Sequence, residues 1–196
     1  MNLNSKPFKI AIFASGSGTN ADNLMRYFKH HPQIEVAVVI CNVSGAGVIE
    51  KAERQGVPCE IIGNQQAADG PFLLKCLEKF RVTHLVLAGY LRLIPKELIQ
   101  NFEGKIINIH PSLLPHYGGK GMFGMRVHES VIAHQELESG ISIHEVNEEF
   151  DKGRILFQAR IRIEPNETAE TLAQRIHELE YRHFPEVVSG WIEDGV

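Results

Sequence analysis

Cysteine is scarce in this chain of 196 residues: Cys41, Cys59 and Cys76 are an odd number, widely spaced and without a C-x-x-C pair. Three such thiols build neither a disulfide framework nor a zinc site, and they read as reduced cysteines of a cytoplasmic protein. No apolar run is long enough to span a membrane, and the polar segment 1–7 has no apolar core of signal-peptide length. A basic excess is missing too. Lys and Arg number 20 against 24 Asp and Glu, and the net charge of −4 argues against a nucleic-acid surface. Linkers, internal repeats and low-complexity tracts are absent, so residues 1–196 read as a single domain. What is present is ordinary for a globular protein, 43% hydrophobic and 22% charged, and long enough to bury a sizeable core. Monomer and homodimer are equally compatible with it.

Short apolar runs alternate with helical patterns through the first half. Residues 9–14, 36–41 and 84–88 suit buried parallel strands, with a weaker strand at 59–62. Between them, 21–29, 46–55, 72–80 and a segment from Pro95 to about 102 have helical spacing, with Gly56 as a C-terminal cap. This alternation implies an α/β fold, Rossmann-like, with a mostly parallel sheet and helices on both faces. The second half changes character. A glycine-rich loop at 117–124 precedes a helix at 126–137, a strand at 141–146, a turn at 147–154 and a strand at 155–163. Two strands around a turn suggest an antiparallel extension of the sheet, followed by an amphipathic helix over about 168–188. An N-terminal half at about 8–110 and a C-terminal half at about 111–190 would then make up the domain.

The segment Asn108-Ile109-His110-Pro111 carries the most chemistry. It ends a strand, so Asn108 and His110 project from one face, and Pro111 turns the chain out of the sheet. Open α/β sheets place ligands at the carboxyl ends of their strands. There an amide can donate to a developing oxyanion and an imidazole can move a proton.

Gly16-Ser17-Gly18-Thr19-Asn20 joins the first strand to the first helix. It reads either as a tight turn or as a phosphate cradle made of backbone N–H groups at a helix start. It lacks the Lys-Ser/Thr of a Walker loop. As a dinucleotide fingerprint it fails, with Ala21 in place of the third glycine and Asn42 where an acidic ribose reader belongs. Asp151 lies in a Glu-Phe-Asp-Lys-Gly turn, where a carboxylate is either a turn residue or the partner of an imidazole. His144, on the neighbouring strand, reads as a structural or exposed histidine. His128 and His134 lack the i, i+4 spacing of a helical zinc pair, so no metal is expected. The stretch Leu91-Arg92-Leu93-Ile94 is an apolar loop suited either to a flat heteroaromatic ligand or to packing.

Taken in order, Gly-Ser-Gly-Thr-Asn, Leu-Ala-Gly-Tyr-Leu-Arg, Asn-Ile-His-Pro-Ser-Leu-Leu-Pro and the Asp151-x-Gly turn resemble the folate-dependent glycinamide ribonucleotide formyltransferases. The resemblance runs from Ile10 to about Val188. It implies catalytic roles for Asn108, His110 and Asp151, and a substrate-phosphate loop at Gly18, Thr19 and Asn20. Glu180 would hold the substrate ribose. Leu91, Arg92, Leu93 and Ile94, with Asn108 and the turn before Asp151, would line the folate site. The implied reaction carries a formyl group from 10-formyltetrahydrofolate, as cosubstrate, to the amine of glycinamide ribonucleotide. In it Asn108 and a protonated His110 would stabilise the oxyanion, and Asp151 would favour the charged imidazole. Neutral Asn64-Gln65-Gln66 stands where relatives often carry a basic residue. The same core could serve another acceptor or water. A nucleotide-binding Rossmann module, by contrast, would leave the Asn108 and His110 pairing unexplained.

Overall fold

The computed structural model describes residues 8–103 and 105–193; segment 1–7 lies outside the described residues. Seven strands and seven helices are seen among them. They run β1 (Phe8–Ala14), α1 (Thr19–Phe28), β2 (Ile34–Cys41), α2 (Gly47–Gln55), β3 (Cys59–Ile61), α3 (Asn64–Ala67) and α4 (Gly70–Lys79). Then come β4 (His84–Leu87), α5 (Lys96–Asn101), β5 (Lys105–His110), α6 (Met125–Ala133), β6 (Glu138–Glu145), β7 (Ile155–Arg162) and α7 (Ala169–Glu193). The strands follow the order β3-β2-β1-β4-β5-β6-β7. The chain divides into two compact units, one running to Ile106 and taking in the last helix from Ser189, the other Ile107–Val188.

In the first unit β1 pairs in parallel with β2 and β4, and β2 pairs in parallel with β3. Ile10, Ile12 and Phe13 of β1 and Ile40 of β2 are fully buried, which is why these strands read as continuous apolar runs. Each such side chain contributes about 1.5–3 kcal/mol of burial free energy. α1 begins at Thr19, two residues before the expected start; Gly18 precedes it in a left-handed conformation at φ 72°, and its carbonyl accepts the Asp22 N–H at 2.9 Å. α4 begins where the Asp69 carboxylate accepts the Phe72 N–H at 2.9 Å. The one-turn α3 was not foreseen; the Gln66 side chain reaches back to the Gly63 N–H at 2.8 Å.

In the second unit β5, β6 and β7 pair antiparallel, as the alternation in β7 suggested. The expected helix over 126–137 stops at Ala133, since Gln135 turns left-handed at φ 54° and reverses the chain. β6 accordingly starts at Glu138 instead of 141. Its first residues pair with the end of β7, Glu138 opposite Arg162 and Gly140 opposite Arg160. α7 is 25 residues long and carries Pro185 within it, outrunning the expected end near 188. Leu172, Ile176 and Phe184 on it are fully buried.

Candidate active site

Register places the polar groups. Asn108 lies opposite His144 and His110 opposite Ser142, so four polar side chains share one face of β5 and β6. Ile107, Ile141 and Ile143 alternate with them and are fully buried. β5 ends at His110, and the Pro111 loop that follows is tied down by Ser142 and Gln158. The Ser142 hydroxyl donates to the Ser112 carbonyl at 2.6 Å and accepts the Leu114 N–H at 2.9 Å. Gln158 Nε2 donates to Ser142 Oγ and to the Leu114 carbonyl.

Asp151 joins this face from the turn between β6 and β7, in a left-handed backbone conformation at φ 56° that Asp tolerates better than most residues. One carboxylate oxygen accepts the Gly119 N–H at 2.8 Å and lies 3.6 Å from His110 Nδ1. The other accepts from Asn108 Nδ2 at 3.4 Å and lies 3.5 Å from His144 Nε2. The glycine-rich loop passes close over it. A Cβ on Gly118 would sit 3.2 Å from Asp151 Cβ and would force the end of the Leu114 side chain to shift, so the absence of a side chain here eases the close approach. Thus Asn108, His110 and Asp151, widely separated in sequence, meet in one place.

Hydrogen bonding fixes the proton positions of both imidazoles. His144 Nδ1 faces the Glu145 carbonyl at 2.7 Å and must donate, so in the neutral ring Nε2 accepts from Asn108 Nδ2 at 3.1 Å. His110 Nε2 faces the Tyr117 carbonyl at 2.8 Å, so in the neutral ring it keeps its proton and leaves the Nδ1 lone pair on the Asp151 side. Burial pushes the His110 imidazole below its usual range, against the pull of the Asp151 carboxylate and the Tyr117 carbonyl; nearby His144 adds to the lowering. Burial likewise pushes Asp151 up. His144, His110 and the Gly119 N–H together outweigh it and hold the carboxyl below its usual range. Burial and the Asp151 carboxylate thus act on the His110 proton in opposite directions. Desolvation of this buried ring opposes the charged imidazole that the resemblance implies, and the Asp151 carboxylate favours it. A neutral imidazole with a bare Nδ1 can accept a proton, and the carboxylate at 3.6 Å stabilises the cation that results.

The other expected residues lie as follows. Gly18 caps α1, and Thr19 and Asn20 are its first two residues, where helical N–H groups have no partner within the helix. A Cβ on Gly18 would overlap Val48 of α2, so the loop depends on glycine both for space and for its positive φ. Leu91 and Leu93 are half exposed, whereas the Ile94 side chain is buried and packs inward. The Leu91 N–H donates at 2.9 Å to Ser15 Oγ, which in turn donates to Asn42 Oδ1 at 2.6 Å. Asn42 is thereby a brace between strand ends. Arg92 donates to Asn64 Oδ1, so the neutral segment around Asn64 holds the guanidinium of this loop. Glu180 is buried on α7, 3.8 Å from His177 Nε2. Among the described residues no group of His, Cys, Asp and Glu is arranged to hold a metal ion, and no helix is long and apolar enough to cross a membrane.

Two participants escaped the sequence reading. His144 stands at the centre of the site, and its alternation with Ile141 and Ile143 was the available clue; the register opposite Asn108 was the missing fact. Tyr117 enters through its main-chain carbonyl, which no residue pattern discloses.

The profile of the formyl transferase family matches residues 8–188. The chain is 37% identical over 185 residues to the phosphoribosylglycinamide formyltransferase of Bacillus subtilis (strain 168), covering 92% of each. It is 39% identical over 207 residues to the chloroplastic phosphoribosylglycinamide formyltransferase of Arabidopsis thaliana, covering 96% of this chain and 69% of that one. The crystal structure of phosphoribosylglycinamide formyltransferase from Bacillus halodurans superposes with a TM-score of 0.82 at 34% identity, covering 92% of this chain and 93% of that one.

Proposed function

Because the chain belongs to the formyl transferase family, we propose that it transfers a formyl group from 10-formyltetrahydrofolate to the amine of 5-phosphoribosylglycinamide. The products are formylglycinamide ribonucleotide and tetrahydrofolate, a step of purine biosynthesis. The observation that carries this reading is the convergence of Asn108, His110 and Asp151 on one polar sheet face.

The substrate amine attacks the formyl carbon and negative charge develops on its oxygen. Asn108 donates an N–H to that oxygen. The long 3.4 Å bond to Asp151 is the one its amide gives up, since it lies at the weak end of hydrogen-bond distances. His110 takes the proton of the attacking nitrogen at Nδ1 and becomes an imidazolium held between Asp151 and the Tyr117 carbonyl. It then returns the proton toward the departing folate nitrogen. Asp151 stays ionised throughout, its low pKa making it a stabiliser of His110 and a poor acid.

Gly18, Thr19 and Asn20 supply N–H and side-chain groups for the substrate phosphate at the positive end of α1. Glu180 takes the ribose hydroxyls. The exposed Leu91 and Leu93 suit the flat face of the donor's heteroaromatic ring, and Arg92 and Ile94 complete that loop. Purified Asn108→Ala and His110→Ala variants test these roles. Each loses about 10²–10³ in turnover while keeping its fold. Near-normal turnover in either would sink the assignment.

A further inference from the structure

We propose that Tyr117 and Glu136 form a latch that positions His110, the Tyr117 side chain being anchored so that its main-chain carbonyl fixes the ring's Nε2. The proposal rests on the reading of His110 as the proton-transfer group.

Three observations support it. The His110 Nε2 to Tyr117 carbonyl distance of 2.8 Å is a good hydrogen bond, whereas Nδ1 at 3.6 Å from Asp151 is too far for one. The carbonyl thus orients the ring, and Asp151 acts on it mainly through charge. Tyr117 itself sits at φ 56°, a left-handed backbone that bulky L-residues avoid and that persists only where the surroundings hold it. Glycines at 118, 119, 121 and 124 follow in the same loop, so the strained position falls on the one tyrosine beside them.

What holds it is visible. The Tyr117 phenol donates to Glu136 Oε1 at 2.6 Å, and its ring meets the His134 ring edge-on with centroids 5.6 Å apart. Glu136 is in turn pinned to α6, its N–H donating to the Val131 carbonyl at 3.3 Å. The chain of contact therefore runs from the end of α6 through carboxylate and phenol to the backbone that holds the imidazole. Burial and the Glu136 bond push the phenol up to about 12, so it remains a donor. A carbonyl accepts and cannot donate, so the latch fixes the Nε2–H tautomer of neutral His110 and keeps the Nδ1 lone pair available.

The test uses Tyr117→Phe, Glu136→Leu, their double variant and Glu136→Gln in the full-length enzyme. Two readouts apply: acceptor-dependent kinetics, and side-chain 15N NMR of His110. Each single variant lowers kcat about 5- to 10-fold, the worth of one hydrogen bond, with both KM values unchanged. The double variant is no slower than the slower single, as expected for two halves of one contact. Glu136→Gln keeps an acceptor oxygen and restores most of the turnover lost in Glu136→Leu. His110 is the Nε2–H tautomer in the unmodified protein and becomes a tautomeric mixture in Tyr117→Phe. Unchanged kcat in the single variants, losses that multiply in the double, or an unmoved NMR signature would each overturn the latch. The NMR readout needs no turnover, so absence of formyl transfer would refute the proposed reaction and leave the latch separately testable.

Discussion

Replacing Asp151 by asparagine removes a charge and little else. The amide oxygen can still accept the Gly119 N–H, now at 2.8 Å, so the turn survives. What is lost is the carboxylate 3.6 Å from His110 Nδ1 and 3.5 Å from His144 Nε2. A unit charge pair at that separation, in an effective dielectric of about 20, attracts by roughly 4–5 kcal/mol before desolvation is subtracted. If only half of it acts on the imidazolium formed during reaction, about 2 kcal/mol, turnover falls roughly 30-fold. Misorientation of the ring carries the loss toward 10²–10³. The pH dependence has a definite sign. Asp151 raises His110 against burial, so in Asp151→Asn the imidazole drops further below its usual range. His110 acts as a base in its neutral form, and the acid limb of the kcat profile therefore moves to lower pH. The assay is the absorbance change on donor deformylation at saturating substrates across a pH series. An unmoved acid limb together with unmodified turnover would refute the reasoning.

Gly18→Ala meets both a positive φ and the Val48 side chain, so it disturbs the start of α1. It raises KM for the phosphorylated substrate about 10-fold or more, in line with roughly 1–2 kcal/mol of left-handed strain, and leaves KM for the donor alone; equal rises in both would count against a phosphate role. His128 is buried on α6, and burial, then nearby His177 and His110, lower it to about 4 from an ordinary 6.5. The unfolded chain binds a proton below 6.5 that the folded chain refuses, so stability is intact above that pH and drains toward pH 4. The gap corresponds to roughly 3 kcal/mol. Urea midpoints of His128→Asn lose acid sensitivity by about that amount; an unchanged pH slope would contradict it. His31 accepts the Ile34 N–H at Nδ1, 3.1 Å, and presents Nε2 to Ser189 and Glu193 at the end of α7. His31→Ala lowers the thermal midpoint without altering kcat, and a changed kcat would show that this contact does more than hold the helix end.

The parallel strands were legible because both faces of β1 and β2 are buried, which leaves an unbroken apolar run in the sequence. Asn108 and His110 were legible through strand alternation and the Pro111 stop. Asp151 was readable from its turn only as one of two alternatives, and the family resemblance chose between them. The start of β6 was misplaced because Glu138 and Ser139 are poor strand formers in isolation; pairing with Arg162 and Ile161 makes them a strand. His144 shows the same limit at the site. Its residue type and face were readable, but only the register opposite Asn108 turns it into a partner of the amide. Arg92 was read as a ligand contact in the folate loop, and the structure adds Asn64, 28 positions away, as its partner.

The chemistry turns on transfer of the formyl group to a particular acceptor. Its most direct test follows tetrahydrofolate release from 10-formyltetrahydrofolate with and without 5-phosphoribosylglycinamide. Release strictly dependent on that acceptor, with equimolar formylglycinamide ribonucleotide, is the predicted result. Equal release without the acceptor would make the protein a hydrolase, and no release in either case would contradict the proposed reaction.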